Sequence, residues 1–136
     1  MASAGYSGTL LVRKIGIKAG HRVALVQRPA DWELPELPDG VELLDRRQPG
    51  ADVTVVFART FADLAAEAPR LDADLADTAM LWIAWPRRAA GHNSDITENG
   101  LRELFLPLGL VDVKVAALGE DWSGLKLVRR RENRGR

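Results

Sequence analysis

The chain has 136 residues, of which 46% are hydrophobic and 28% charged, and its formal net charge is +0. These values fit one ordinary globular domain and argue against a disordered or membrane-embedded protein. Cysteine is absent, which excludes disulfides, thiolate catalysis and cysteine-ligated metal sites. The sequence shows neither a signal-peptide pattern nor an apolar run of the roughly 18 residues that cross a bilayer. We therefore expect a cytoplasmic protein.

Charge is distributed unevenly along the chain. Acidic residues concentrate between positions 63 and 77, and arginines crowd the C-terminus. Zero net charge argues against a membrane or nucleic-acid partner. We expect residues 1–130 to form a single domain and residues 131–136 to form a disordered basic tail.

The first half of the chain predicts one short helix and three strands. Residues 9–15 suit a helix that Ser7 or Thr9 caps and that ends at Gly16. Residues 21–27 form an apolar, β-branched run, as expected of a buried parallel strand. Three prolines then allow at most one helical turn around Trp32. Extended patterns return at 41–45 and 52–57, separated by a Pro-Gly turn.

The second half predicts two helices and three strands. A helix starts at Thr60 with apolar residues at helical spacing, and Pro69 is expected to kink or divide it. Residues 78–85 form a strand in which Trp82 belongs to the core. Ser94 and Asp95 are expected to open a second helix that ends near Gly109. Residues 110–118 and 125–130 predict a hairpin around a turn at 121–124.

This order predicts an α/β fold, a Rossmann-like sheet of about six strands. Most strands should be parallel, helices should pack on the faces, and an antiparallel hairpin should close the C-terminal side. The strand at 41–45 stays ambiguous. Its link to the next strand has about seven residues, whereas a parallel crossover usually needs a dozen or more, so an antiparallel hairpin is an alternative.

Two resemblances follow from short motifs spread over nearly the whole chain. The motifs are GYSGT at 5–9, IGIKAGHRVAL at 15–25, LWIAWP at 81–86, GLVDVKV at 109–115 and WSG at 122–124. On these motifs the chain resembles family 3052 of the domains of unknown function, a bacterial family without an assigned activity.

More distantly, the chain resembles class I S-adenosylmethionine-dependent methyltransferases, which share the Gly-Ile-Lys-x-Gly-x-Arg-Val lead-in and the closing hairpin. That resemblance implies a cofactor site at Gln27, Asp31 and Asp45, with Asp45 at the ribose hydroxyls. The turn after the first strand, however, contains no glycine, although glycine lets a backbone approach such a cofactor. The strand and helix expected before Asp52 are also missing. Methyl transfer is therefore not the favoured function.

The loop between the fourth strand and the following helix is the candidate ligand site, because open α/β sheets bind ligands at this edge. Basic and amide side chains there can meet an anion beside a helix N-terminus, and two tryptophans lie near it. The candidate residues are Trp85, Arg87, Arg88, His92, Asn93, Ser94 and Trp122. The alternative is a solvated loop with a capped helix.

Catalytic motifs are weak. GYSGT nearly spells a nucleophile elbow but follows no strand, and neither a phosphate-binding loop nor a metal-ligand pattern occurs. We predict a non-catalytic module that binds a small anionic ligand or a protein and needs no cofactor or metal. The alternatives are an enzyme dependent on S-adenosylmethionine or a nucleotide, and nucleic-acid binding through the basic C-terminus.

Overall fold

Six strands assemble into one sheet in the order β2-β1-β3-β4-β6-β5. The computed structural model describes residues 10–135, so GYSGT and the predicted caps Ser7 and Thr9 lie outside the described residues. The strands are β1 (Arg22–Val26), β2 (Glu42–Leu44), β3 (Val53–Phe57), β4 (Met80–Pro86), β5 (Leu110–Ala117) and β6 (Trp122–Arg129). The helices are α1 (Leu11–Ile15), α2 (Phe61–Asp74) and α3 (Glu98–Phe105).

The first four strands run parallel, and β6 pairs antiparallel with both β4 and β5. This confirms the predicted Rossmann-like sheet with a closing hairpin. Strand β2 is parallel to β1 and lies at the sheet edge, so the hairpin alternative is wrong. Residues 45–52 must therefore pass from one side of β1 to the other without a helix. The Asp52 carboxylate anchors this link by accepting a hydrogen bond from the Arg22 amide at 2.8 Å.

Apolar side chains cover both faces of the sheet. On one face α2 and α3 bury Leu64, Leu71 and Phe105 against strands β4 and β6. On the other face α1 packs on β1, β3 and Trp82. The Trp82 ring is fully buried and its Nε1 donates to the Ile15 carbonyl oxygen at 2.9 Å, which satisfies a carbonyl at the end of α1.

Helix α2 is not divided by its proline. It runs unbroken from Phe61 to Asp74 with Pro69 inside it. An interior proline costs about 3 kcal/mol in a helix, but Leu64, Ala68 and Leu71 are buried along one face. Burial of each large aliphatic side chain contributes about 1.5–3 kcal/mol, so packing outweighs the local penalty.

The N-cap of helix α3 lies two to three residues after the predicted cap residues, Ser94 and Asp95. Thr97 caps it, because its Oγ1 accepts from the Gly100 amide at 3.0 Å. The predicted cap residues serve other groups: Ser94 Oγ accepts from the Ile96 amide, and Asp95 Oδ1 accepts from the Phe61 amide at 2.8 Å. Asp95 therefore caps the neighbouring helix α2, a pairing that local sequence does not reveal.

The hairpin turn also differs from the prediction. Strand β6 starts at Trp122, and Gly124 pairs with Ala116 inside the sheet. A Cβ on Gly124 would lie 2.7 Å from the Leu118 side chain and 3.0 Å from the Trp82 ring. Glycine is therefore required here by side-chain packing rather than by a turn.

Two features at the C-terminus bear on the predicted basic tail. Arg129 bonds to the Asp72 carboxylate and to the Asp72 and Leu75 carbonyl oxygens at 2.9–3.1 Å, so its charge is committed to the end of α2. A 3-10 turn follows at Arg131–Asn133, and the Asn133 side-chain Nδ2 donates to the Gly109 carbonyl oxygen at 3.2 Å.

Between residues 10 and 135 there is no helix with both the length and the apolar character that crossing a lipid bilayer demands.

Candidate functional site

The carboxyl ends of the parallel strands meet at one edge of the sheet. Strands β2 and β3 lie on opposite sides of β1, so the chain changes direction there, and ligands of open α/β sheets bind outside such a switch point. A groove of about 300 Å³ opens at this place. We call it the switch-point groove; its walls include Val26, Gln27, Phe57, Arg59, Leu64 and Trp122.

Gln27 follows β1 and has a backbone φ of +59°. Residues other than glycine enter this left-handed region at a cost of about 1–2 kcal/mol. The turn thus adopts a glycine-like backbone conformation although a side chain is present. Strain of this kind persists only where neighbouring structure enforces it, and Gln27 lines the switch-point groove.

Arg28 is joined to Asp45, the predicted ribose-binding acid. Arg28 Nε donates to Asp45 Oδ1 at 2.8 Å and Nη2 donates to Oδ2 at 3.3 Å, while Nη1 donates to the Trp32 carbonyl oxygen at 2.7 Å. The hydrogen bond from Arg28 holds the pKa of the Asp45 carboxyl below its ordinary value, and the same bond raises the pKa of Arg28. Both carboxylate oxygens of Asp45 are therefore engaged within the protein.

Three aromatic rings lie in a row beside this ion pair. The Trp32 and Phe57 rings meet edge to face with centroids 4.8 Å apart, and Phe57 meets Trp122 in the same way at 5.1 Å. Trp32 Nε1 donates to the Leu118 carbonyl oxygen at 2.8 Å. Trp32 and Trp122 are each 6% exposed. The irregular segment after β1 thus fills space next to the strand ends with a buried indole.

Arg59 lies two residues after the end of β3 and lines the switch-point groove. Its Cζ atom is 5.2 Å from the centroid of the Trp122 ring, within the range of a cation–π interaction. Among residues 10–135 no carboxylate forms a salt bridge with Arg59. Its guanidinium N–H groups can therefore donate hydrogen bonds to an anionic ligand.

The 86–95 loop is fastened to the β5–β6 turn. The Arg87 amide donates to the Asp121 carbonyl oxygen at 2.8 Å, and Arg87 Nη1 contacts the Glu120 carbonyl oxygen at 3.3 Å. His92 Nε2 lies 2.9 Å from Asp121 Oδ1. Arg87, His92 and Trp122 are thus brought to one area, and His92 and Trp122 line the same shallow depression as Arg59 and Asp31.

The other predicted site residues lie elsewhere. Trp85 is buried in the core beneath α2 and α3. Arg88 and Asn93 are exposed, Arg88 within a 3-10 turn. Ser94 Oγ donates to the Arg59 carbonyl oxygen at 3.3 Å, which positions the Arg59 backbone rather than a ligand.

Neither neighbouring helix offers an uncompensated N-terminus to an anion. Asp95 and Thr60 occupy the Phe61 and Asp63 amides of α2. In α3, Thr97 occupies the Gly100 amide and Glu98 places a negative charge in the first turn. An anion at this edge would depend on arginine side chains instead of a helix dipole.

A second groove, of about 400 Å³, lies on the α1 side of Trp122 and is acidic. Asp31, Glu33, Glu120 and Asp121 line it. Within the described residues no three histidine or acidic side chains are grouped so as to hold a metal ion.

Comparison with known proteins supports the fold but does not assign the chain to a family. The chain is similar to the crystal structure of an S-adenosylmethionine-dependent methyltransferase from Aquifex aeolicus, with a TM-score of 0.57 and 13% identity over 86% of each chain. It is similar to a ribosomal protein L11 methylase from Lactobacillus delbrueckii subsp. bulgaricus, with a TM-score of 0.57 and 13% identity over 89% of this chain and 76% of that one.

A third similar structure is the dimethyltransferase RosA from Streptomyces davawensis, with a TM-score of 0.53 and 15% identity, covering 81% of this chain and half (50%) of that one. Identities this low show a methyltransferase-like Rossmann fold alone. No protein-family model and no curated protein matches the sequence, so membership of family 3052 stays a prediction.

Sequence reasoning missed Arg28 and Arg59. Arg28 stands in a proline-rich loop and its partner is distant in sequence, so no local pattern indicated the ion pair. Arg59 lies two residues after a buried strand. That position was the available signal, because residues after parallel strands lie at the ligand edge.

Proposed function

We propose that this domain binds a small anionic molecule in the switch-point groove and carries out no methyl transfer. The observation that carries the proposal is the bidentate contact of Arg28 with Asp45. The carboxylate that the methyltransferase resemblance assigns to a ribose is thereby neutralised by the protein itself.

The residues after β1 fit a bound S-adenosylmethionine poorly. A side chain stands at Gln27, and Trp32 with its hydrogen bond to Leu118 fills the adjoining space. A nucleoside held at Asp45 would have to displace the Arg28 ion pair, leaving a guanidinium with fewer partners. These contacts support a binding domain rather than a cofactor-dependent enzyme.

The switch-point groove has the chemistry for a small amphipathic anion. Val26, Val56 and Leu64 supply apolar walls, and Arg59 supplies donors next to the Trp122 ring. Asp63 and Glu67 line the α2 side, so a ligand that also carries an amine is favoured over a simple anion. Apolar walls with a few convergent polar groups are typical of small-molecule sites.

A panel of small carboxylates and zwitterionic amino acids, titrated into 15N-labelled protein, tests this proposal. Binding should shift the indole N–H signal of Trp122, and Arg59→Ala should abolish the shift while Arg88→Ala, at an exposed position, should leave it unchanged. Shifts that survive Arg59→Ala, or that respond equally to both substitutions, would contradict the assigned site.

The second candidate is an enzyme that uses S-adenosylmethionine, and the likeness to solved methyltransferases favours it. It requires Asp45 to exchange Arg28 for a ribose. Titration with S-adenosylhomocysteine separates the two candidates, because only the enzyme needs an open nucleoside site.

A further inference from the structure

A separate cluster of cations lies on the α1 face of the hairpin. The chain has four lysines in all, and three of them, Lys14, Lys114 and Lys126, come together here. Lys114 and Lys126 are cross-strand partners in the β5–β6 ladder. Lys114 Nζ donates to the Lys14 carbonyl oxygen at 3.1 Å, and Lys14 Nζ donates to the Ala117 carbonyl oxygen at 3.4 Å.

The cluster lacks a counter-charge. Within residues 10–135 no carboxylate forms a salt bridge with any of the three lysines, whereas many of the arginines do have acidic partners. Each ammonium carries three donors. Lys14 and Lys114 each donate one hydrogen bond to a backbone carbonyl oxygen. Within the described chain no acceptor is hydrogen-bonded to the Lys126 ammonium.

Lys126 is positioned deeper than an ordinary surface lysine. Partial burial lowers its pKa, and the charge of Lys114 lowers it further. Next to it, Gly16 has a φ of +95°, and a Cβ there would lie 3.9 Å from Lys126 Nζ and 3.1 Å from the Met80 sulfur. The left-handed φ accounts for glycine at this C-cap, and the distance places the end of α1 beside the Lys126 ammonium. Because Lys114 and Lys126 are cross-strand partners and their charges repel each other, an anion bound beside them is favoured.

We propose that Lys14, Lys114 and Lys126 form a binding site for a phosphorylated small molecule, distinct from the switch-point groove. A phosphoryl group carries up to two negative charges and three acceptor oxygens, which match a cluster of three lysines better than a single carboxylate does. Lysine binds phosphate as a point charge, without the planar geometry that arginine imposes. Three flexible lysine side chains from one helix and two strands can therefore contact the same phosphoryl group.

Inorganic pyrophosphate is the probe, titrated calorimetrically into the full chain. Lys126→Gln should weaken binding by about tenfold or more, because a charge-assisted hydrogen bond contributes about 1.5–3 kcal/mol. Lys18→Gln, at the chain's remaining lysine, is the matched control and should change affinity little. Lys126→Arg keeps the charge and should retain binding even if the glutamine variant is destabilised, which thermal melting checks.

A second readout is the titration of Lys126 followed by NMR. Bound pyrophosphate should raise the pKa of Lys126, because its negative charge offsets the repulsion from Lys114. Absence of pyrophosphate binding, or an equal loss in Lys18→Gln, would overturn the proposal. So would binding confined to a single-stranded oligonucleotide and falling steeply with salt, because the surface would then recognise a nucleic-acid backbone.

Discussion

Arg28 and Asp45 lie 17 residues apart in sequence, and two hydrogen bonds of 2.8 and 3.3 Å join the guanidinium to the carboxylate. The pair links the irregular segment after β1 to the end of β2. It stands where the methyltransferase resemblance places a ribose-binding acid. The sheet is methyltransferase-like, but the acid expected to bind a nucleoside is hydrogen-bonded to Arg28 instead.

The first prediction concerns acid titration of this pair. The hydrogen bond from Arg28 lowers the pKa of Asp45 below its ordinary value. A depressed carboxyl pKa contributes stability that is present above the unfolded value and is lost as the pH falls through the folded value. NMR titration should therefore show Asp45 protonating at a lower pH than an ordinary aspartate, and Arg28→Ala should return its pKa to about the ordinary value. An unshifted carboxyl in the wild-type protein would contradict the ion pair.

The second prediction concerns the indole after β1. Trp32→Ala removes a buried ring and its bond to Leu118, and loss of a buried aromatic side chain costs about 3–5 kcal/mol. Urea unfolding should show this loss, while Leu37→Ala at an exposed position should change the free energy of unfolding by no more than about 0.5 kcal/mol. Similar values for both variants would show that Trp32 is not part of the core.

The third prediction concerns Asp95, which lies in the 86–95 loop and caps helix α2. Asp95→Ala removes the acceptor of the Phe61 amide and should cost about 0.5–2 kcal/mol, as lost helix caps do. Asp95→Asn retains an acceptor oxygen and should cost less. Asn93→Ala, in the same loop and exposed, is the control. Equal melting temperatures for Asp95→Ala and Asn93→Ala would refute the cap.

The fourth prediction concerns Gly124. Alanine there would press on Leu118 and Trp82 at 2.7 and 3.0 Å, and overpacking of this kind costs about 1–3 kcal/mol. Combining Gly124→Ala with Leu118→Ala should cost less than the sum of the single variants, because the contact is then removed. If the losses in the free energy of unfolding add, glycine is required at position 124 for its backbone conformation and not for side-chain packing.

The parts of the fold that could be predicted are those that depend on the local pattern of apolar and turn-forming residues. Buried strands such as β3 and β4 are continuous apolar runs, and the hairpin follows from two extended segments joined by a short turn. The pairing of β2 could not be predicted, because link length alone favoured a hairpin, whereas β3 in fact pairs with β1. Strand order depends on contacts distant in sequence.

The candidate site residues stay a prediction in their binding role. The structure brings Arg87, His92 and Trp122 to one area at the carboxyl ends of the strands. Asp95 was assigned to the wrong helix because a cap residue can serve any amide within reach. Arg28 escaped notice because its partner stands on another strand, and charged pairs of that kind leave no periodic signal.

The most direct test of the account is calorimetric titration of the purified protein with S-adenosylhomocysteine, with Asp45→Ala as the control. The closed ion pair predicts no saturable heat for the wild-type protein, and none for the variant. Saturable binding to the wild-type protein that Asp45→Ala abolishes would contradict the account, because it would show that Asp45 exchanges Arg28 for a ribose and that the nucleoside site is open.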